Sequence, residues 1–210
     1  MSIVKLSNNG VKNATAFGSI SSLGSMTFIK KITISSPVSS VQFVHGSNGV
    51  VLDDTYKEYY FTFNNLHPNS NTEPDIAMNF STDGGSNYNV TKTTTSFYAY
   101  HTESDSTSAL AYDAPSDLAQ STAYQLLICG NVGDDADQAL AGSMTLFNPS
   151  STVFVKHFIS RINTHATTPY SMDNYIAGYG NTTSAVNAIN FLFDEGNIDS
   201  GQIKLYGLAN

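Results

Sequence analysis

The chain has 210 residues, with 12% charged, 12 tyrosines, 12 phenylalanines, one cysteine and no tryptophan. Nine basic against 17 acidic residues give a formal charge of −8. Phosphates and anionic lipid surfaces demand clustered lysine and arginine, so this balance argues against nucleic acid and membrane as partners.

The longest basic cluster is Lys30-Lys31. Cys129 alone can form neither an intrachain disulfide nor a thiolate metal site, and in its apolar run it is expected to be a buried, inert thiol. No stretch reaches the ~20 consecutive apolar residues of a membrane helix. The first residues lack the apolar core of a secretory signal, so folding in a reducing cytosol is expected. A chain of this length can form one all-β domain.

Residues 1–25 are rich in Ser, Asn and Gly without a sustained period, and are expected to be an extended N-terminal arm. Residues 26–210 are expected to form a single β-sandwich domain. Residues 26–34 alternate as a strand, and residues 41–44 form a short one closed by the turn 45–49. Residues 59–66 give the clearest signal: Tyr59, Phe61 and Phe63 share one side, and Tyr60, Thr62 and Asn64 the other. Residues 76–80 alternate again and end at Asp83-Gly84-Gly85, whose glycines suit a tight turn. The two runs read as a pair of antiparallel core strands.

Residues 95–101 place Phe97 and Ala99 opposite Tyr98 and Tyr100. Residues 102–123 are polar and acidic, with one helical turn expected in 114–120. The almost continuous apolar run 124–129 reads as a central strand covered on both faces. Strands are expected at 140–147 and 152–161, joined by Asn148-Pro149-Ser150-Ser151, then at 170–179, 188–193 and 202–206. About ten or eleven short strands, with turn signals roughly every 8–15 residues, specify an all-β, jelly-roll-like antiparallel sandwich.

Chemistry is sparse. Ser81-Thr82-Asp83-Gly84-Gly85-Ser86-Asn87-Tyr88 resembles the Asp-box turn of sialidase propellers, but occurs once and reads as a structural turn. Asp134, Asp135 and Asp137 lack the spacing of a calcium loop and read as a solvated hairpin tip, as do Glu103, Asp105, Asp113 and Asp117. The five histidines form no metal pair. His157 shares parity with Val153, Val155 and Ile159 and reads as a half-buried imidazole. Tyr56, Tyr59, Tyr60, Tyr98, Tyr100 and Tyr112 could line a sugar-binding face, although strand packing accounts for most of them. No catalytic, cofactor-binding or metal-binding residue is assigned, and no cofactor is expected.

Several stretches resemble a family of virion structural proteins of marine tailed phages, notably cyanophages. They are Tyr-Lys-Glu-Tyr-Tyr-Phe-Thr-Phe-Asn-Asn-Leu at 56–66 with His67-Pro68, then 80–88, Leu-Phe-Asn-Pro at 146–149, and Gly-Asn-Ile-Asp-Ser-Gly-Gln-Ile-Lys-Leu-Tyr-Gly at 196–207. The resemblance covers residues 26–208 and carries no catalytic residue. It implies a non-enzymatic β-sandwich displayed on a virion assembled in the host bacterial cytoplasm, as head decoration or as part of a tail fibre or appendage. The expected partners are further copies of the chain, with a trimer favoured, and other capsid or tail proteins. The alternative is a carbohydrate-binding module that recognises a host surface glycan.

Overall fold

The computed structural model describes residues 26–72, 74–130 and 132–208. The expected arm at residues 1–25 lies outside the described residues. Twelve strands follow in order: β1 (Met26–Ile34), β2 (Val41–Val44), β3 (Glu58–Pro68), β4 (Ile76–Ser81), β5 (Lys92–Thr102), β6 (Ser108–Tyr112), β7 (Gln125–Leu126), β8 (Leu140–Phe147), β9 (Lys156–His165), β10 (Tyr170–Gly180), β11 (Ala188–Phe193) and β12 (Ile198–Leu208). They build two antiparallel sheets packed as a sandwich. The larger has the order β1-β12-β3-β8-β9-β10-β5-β6, and the smaller β2-β11-β4-β7.

The pairing is nested. With β5, β6, β9 and β10 set aside, the remaining strands pair from the outside of the chain inwards: β1 with β12, β2 with β11, β3 with β8, and β4 with β7. The contacts β12–β3 and β11–β4 then complete a four-stranded set in each sheet. The strands set aside form two hairpins. β5–β6 is inserted between β4 and β7, and β9–β10 between β8 and β11. Pairing of β10 with β5 joins the hairpins, and pairing of β8 with β9 fuses them to the larger sheet as a four-stranded extension, β9-β10-β5-β6.

One core lies between the layers. Phe61 and Phe63 project from β3 towards Phe191 of β11, with ring centroids 5.4 and 5.2 Å apart and edges meeting faces. Phe43 of β2 meets Phe61 at 5.4 Å. Edge-to-face rings gain electrostatically beyond the area they bury, so this cluster fastens one sheet to the other. Phe80 of β4 makes the same kind of contact with Phe158 of β9, at 5.7 Å. That contact carries the core under the extension.

The alternation read at 59–64 holds, since Tyr59, Phe61 and Phe63 are buried. It stops at Asn65, which sits at φ 47° and shifts the register so that Leu66 also points inwards. Gly201 of β12, at φ 120°, makes room for this bulge: a Cβ there would meet the Asn65 carbonyl oxygen at 2.5 Å. A further bulge between Phe28 and Lys30 turns Phe28 outwards while Ile34 stays in the core.

Several expectations are corrected. β3 and β4 do not pair; they lie in different sheets, where β3 packs its rings against β11 and β4 packs Phe80 against β9. All six residues of β4 are buried, because loops cover its far face and Asn79 donates to the carbonyls of Tyr88 and Thr122. The run 124–129 is not a central strand. Only Gln125–Leu126 pairs, at the edge of the smaller sheet, while Leu127, Ile128 and Cys129 are buried beneath the extension. The strand expected at 152–161 begins at Lys156, and Val153 and Phe154 are exposed in the turn before it. The parity of β9 is therefore the opposite one. Phe158, Ser160 and Ile162 are buried, whereas His157 and Ile159 face out, so His157 is not half-buried. Within the acidic stretch 102–123 lies the unexpected strand β6, followed by one short 3-10 turn at Ala114–Ser116.

Candidate functional site

The extension leaves a cleft of about 610 Å³ between itself and the segment that leads from β6 to β7 and beyond. Alternation along β5 sends Tyr98 and Tyr100 inwards, and β10 adds Tyr170 beside them. The three rings form a row, with Tyr98 and Tyr100 centroids 6.1 Å apart and Tyr100 and Tyr170 centroids 5.6 Å apart. Asp75 and Asp113 bring carboxylates to the same cleft, and among the described residues its lining includes no lysine, arginine or histidine. The main-chain N–H of Asp113 donates to Ser96, and its carboxylate lies beside the Cys129 thiol, with Oδ2 buried and without a hydrogen bond of its own.

The cleft is held open by short-range geometry. Thr102 Oγ1 accepts the N–H groups of Ser106 and Thr107 at 3.2 and 3.1 Å, tying down one lip. The N–H of Glu103 donates to the Pro169 carbonyl, binding that lip to the loop before β10. At the floor, Gly130 adopts φ 122°, and a Cβ there would meet the Met172 side chain at 2.8 Å.

Cys129 also borders the cleft. Its thiol donates to Asn174 Oδ1 at 3.1 Å, and that oxygen also accepts the Cys129 N–H at 2.9 Å. Burial pushes the thiol pKa upwards, so the reactive thiolate is suppressed. The thiol is buried, as expected.

Two lysines are sealed in the interior of the extension on either side of Gly180, Lys92 from β5 and Lys156 from β9. Lys92 Nζ donates to Asn79 Oδ1 and the Val90 carbonyl, and Lys156 Nζ to the carbonyls of Phe154 and Thr182. Desolvation lowers both pKa values, that of Lys92 to about 8. Neither lysine stood out in the sequence. Their positions on the inner parity of their strands were the available signal.

The tyrosines grouped by sequence are split between environments. Tyr98 and Tyr100 line the cleft, whereas Tyr59 is buried with its hydroxyl donating to the Asp53 carbonyl. Tyr56 packs edge-on against Tyr59. Tyr60 and Tyr112 lie on the outer face of the larger sheet, and Tyr112 donates to Asp117.

The acidic residues are dispersed too. Glu103 faces His165 and Asp105 faces His101, while Asp134 and Asp137 border a separate hollow beside His67. No three His, Cys, Asp or Glu side chains among the described residues are grouped to hold a metal ion. The Asp-box-like turn is structural: Asp83 accepts from Ser81 Oγ, Asn87 N and Asn87 Nδ2. Those bonds, led by the Asn87 side chain, lower its pKa to about 2.

The outer face of the extension is a second candidate surface. Leu110 is 73% exposed, Tyr112 57% and Phe97 42%. Phe97 stacks on Tyr175 with planes 2° apart, and the Arg161 guanidinium lies 5.0 Å from the Tyr175 ring while pairing with Asp173. The chain matches no protein-family model, no curated protein and no solved structure.

Proposed function

We propose that this protein is a non-enzymatic structural subunit of a virion, a jelly-roll sandwich that assembles by self-association and is displayed on the particle. The nested pairing supports the jelly-roll reading. A long hairpin rolled up so that first meets last, second meets second-last, and so on, gives two four-stranded sheets, an architecture shared by viral capsid and lectin domains. The likeness of residues 26–208 to virion proteins of marine tailed phages supplies the setting.

One observation carries the assembly: the open edge at β6. Because the N–H of Asp113 donates to Ser96 and that of Thr102 to Thr107, the main-chain groups of Ala109 and Ala111 point to β5. Those of Ser108, Leu110 and Tyr112 point away, and no strand pairs with them among the described residues. Ser-Ala-Leu-Ala-Tyr carries no charge, unlike the opposite edge strand of the larger sheet, β1, which holds Lys30 and Lys31. Lysines at an edge discourage unwanted pairing, and an uncharged open edge invites it. The flanks of β6 carry Asp105, Asp113 and Asp117, so β1 of a second copy is its complement in charge. β1 of the next copy would also continue the antiparallel alternation of the sheet. Head-to-tail contacts of this kind close into rings when the rotation allows, and three copies are the expected number.

Light scattering on the purified full chain tests the reading. A discrete oligomer is expected, reduced to monomer by Leu110→Lys. Antibodies against the chain should label intact phage particles. A monomer at all concentrations, or particles without label, would overturn the assembly and the setting respectively.

A further inference from the structure

We infer that the cleft between β5, β10 and the segment after β6 binds a neutral sugar, with a pyranose ring lying along Tyr98, Tyr100 and Tyr170 and a hydroxyl donating to Asp113.

Each part of the cleft favours that chemistry. A pyranose presents an apolar face of C–H groups and a rim of hydroxyls. Tyrosine rings supply rigid apolar surface with a polar tip, which suits the first requirement. Three rings spaced 6.1 and 5.6 Å apart form an extended row instead of closing around a point. Asp113 Oδ2 meets the second requirement. It is a buried acceptor with no hydrogen bond, a state that is costly until a donor arrives. A sugar hydroxyl is such a donor.

The same lining excludes other ligands. Sialic acid, uronic acids and phosphate esters bring negative charge to a cleft lined by Asp75 and Asp113, with no cationic side chain in the lining among the described residues. An organic cation such as choline would suit the carboxylates, but it needs an enclosing cage of rings. The volume of about 610 Å³ lies within the range of small-molecule sites and far exceeds one quaternary ammonium group. The tied lip at Thr102 and the glycine at 130 keep the cleft formed without ligand, so little ordering cost opposes binding.

The test uses the purified full chain and saturation-transfer NMR with five probes at millimolar concentration: lactose, maltotriose, chitotriose, sialyllactose and choline. At least one neutral sugar should receive saturation, and sialyllactose and choline should not. Tyrosine fluorescence gives affinities in a chain without tryptophan. Tyr100→Ala should weaken binding roughly tenfold, about the worth of one aromatic contact. Asp113→Asn, a milder change, should weaken it with the melting temperature retained. Tyr60→Ala, on the opposite face of the sheet, should leave affinity unchanged. Saturation by choline alone, no saturation by any neutral sugar, or equal affinities in wild type and Asp113→Asn would overturn the inference. The Leu110→Lys monomer should bind sugar like the wild type, so failure of assembly and failure of the cleft are separately visible.

Discussion

Lys92 Nζ sits 2.5 Å from Asn79 Oδ1, with both residues 0% exposed. The pair connects β5 of the larger sheet to β4 of the smaller, and it gives the ammonium no carboxylate partner. Asn79 is itself held in place, donating to Tyr88 and Thr122 and accepting the N–H of Phe80.

A measurable pH signature follows from this burial. The Lys92 pKa falls from 10.5 to about 8 in the fold through desolvation. Below pH 8 both states are protonated and the cost of the buried charge is complete, roughly 3 kcal/mol. Between about pH 8 and 10.5 the unfolded chain binds the extra proton, so this contribution to stability rises with pH. Lys92→Met, which removes the charge and keeps most of the volume, should melt higher than wild type at pH 7. The gap should narrow as pH approaches 10. Melting curves of both proteins across this range check it, and a gap independent of pH would refute the desolvated ammonium.

The aromatic fastening between the sheets predicts a large loss on truncation. Phe191 meets Phe43, Phe61 and Phe63, and is fully buried. Phe191→Ala should destabilise the fold by about 3–5 kcal/mol, combining lost transfer energy with a cavity between two sheets that cannot close over it. Urea unfolding measures this. A loss under about 1 kcal/mol would mean that the sheets are held elsewhere.

The bulge shared by β3 and β12 predicts a backbone effect. Gly201→Ala adds a Cβ 2.5 Å from the Asn65 carbonyl oxygen at a φ of 120°. A cost of roughly 1–3 kcal/mol is expected from the strained conformation alone. Gly84→Ala, at φ 72° with open space around it, should cost less. Comparing their denaturation midpoints separates strain from collision.

The Asp83 turn predicts an acid-dependent contribution. The Asp83 pKa is lowered from 3.8 to about 2, first by Asn87 and then by Ser81. Its stabilisation is therefore complete above pH 4 and is lost as pH falls towards 2. Asp83→Ala should melt below wild type at pH 7, with the two curves converging in acid. Equal melting temperatures at pH 7 would show that the turn holds without its carboxylate.

The local period of the sequence determined most of the strands and several of their faces. Tyr59, Phe61 and Phe63 had to face a core because side chains alternate along any strand. The turns at 45–49 and 83–85 were legible because few residues adopt positive φ. Alternation carries no information about which strand lies beside which, so only the tertiary structure placed β3 and β4 in opposite sheets. The fully buried β4 and the edge strand β7 misled for one reason: their burial comes from loops and an extension distant in sequence. Val153 and Val155 belong to a turn and give no phase for β9, so parity counted from them puts His157 on the wrong face. Tyr98 and Tyr100 were legible as candidate sugar-facing residues, but not the cleft they share with Tyr170, Asp75 and Asp113. Its tyrosines come from β5 and β10 and its carboxylates from outside the strands, and only long-range pairing of β5 with β10 brings them together.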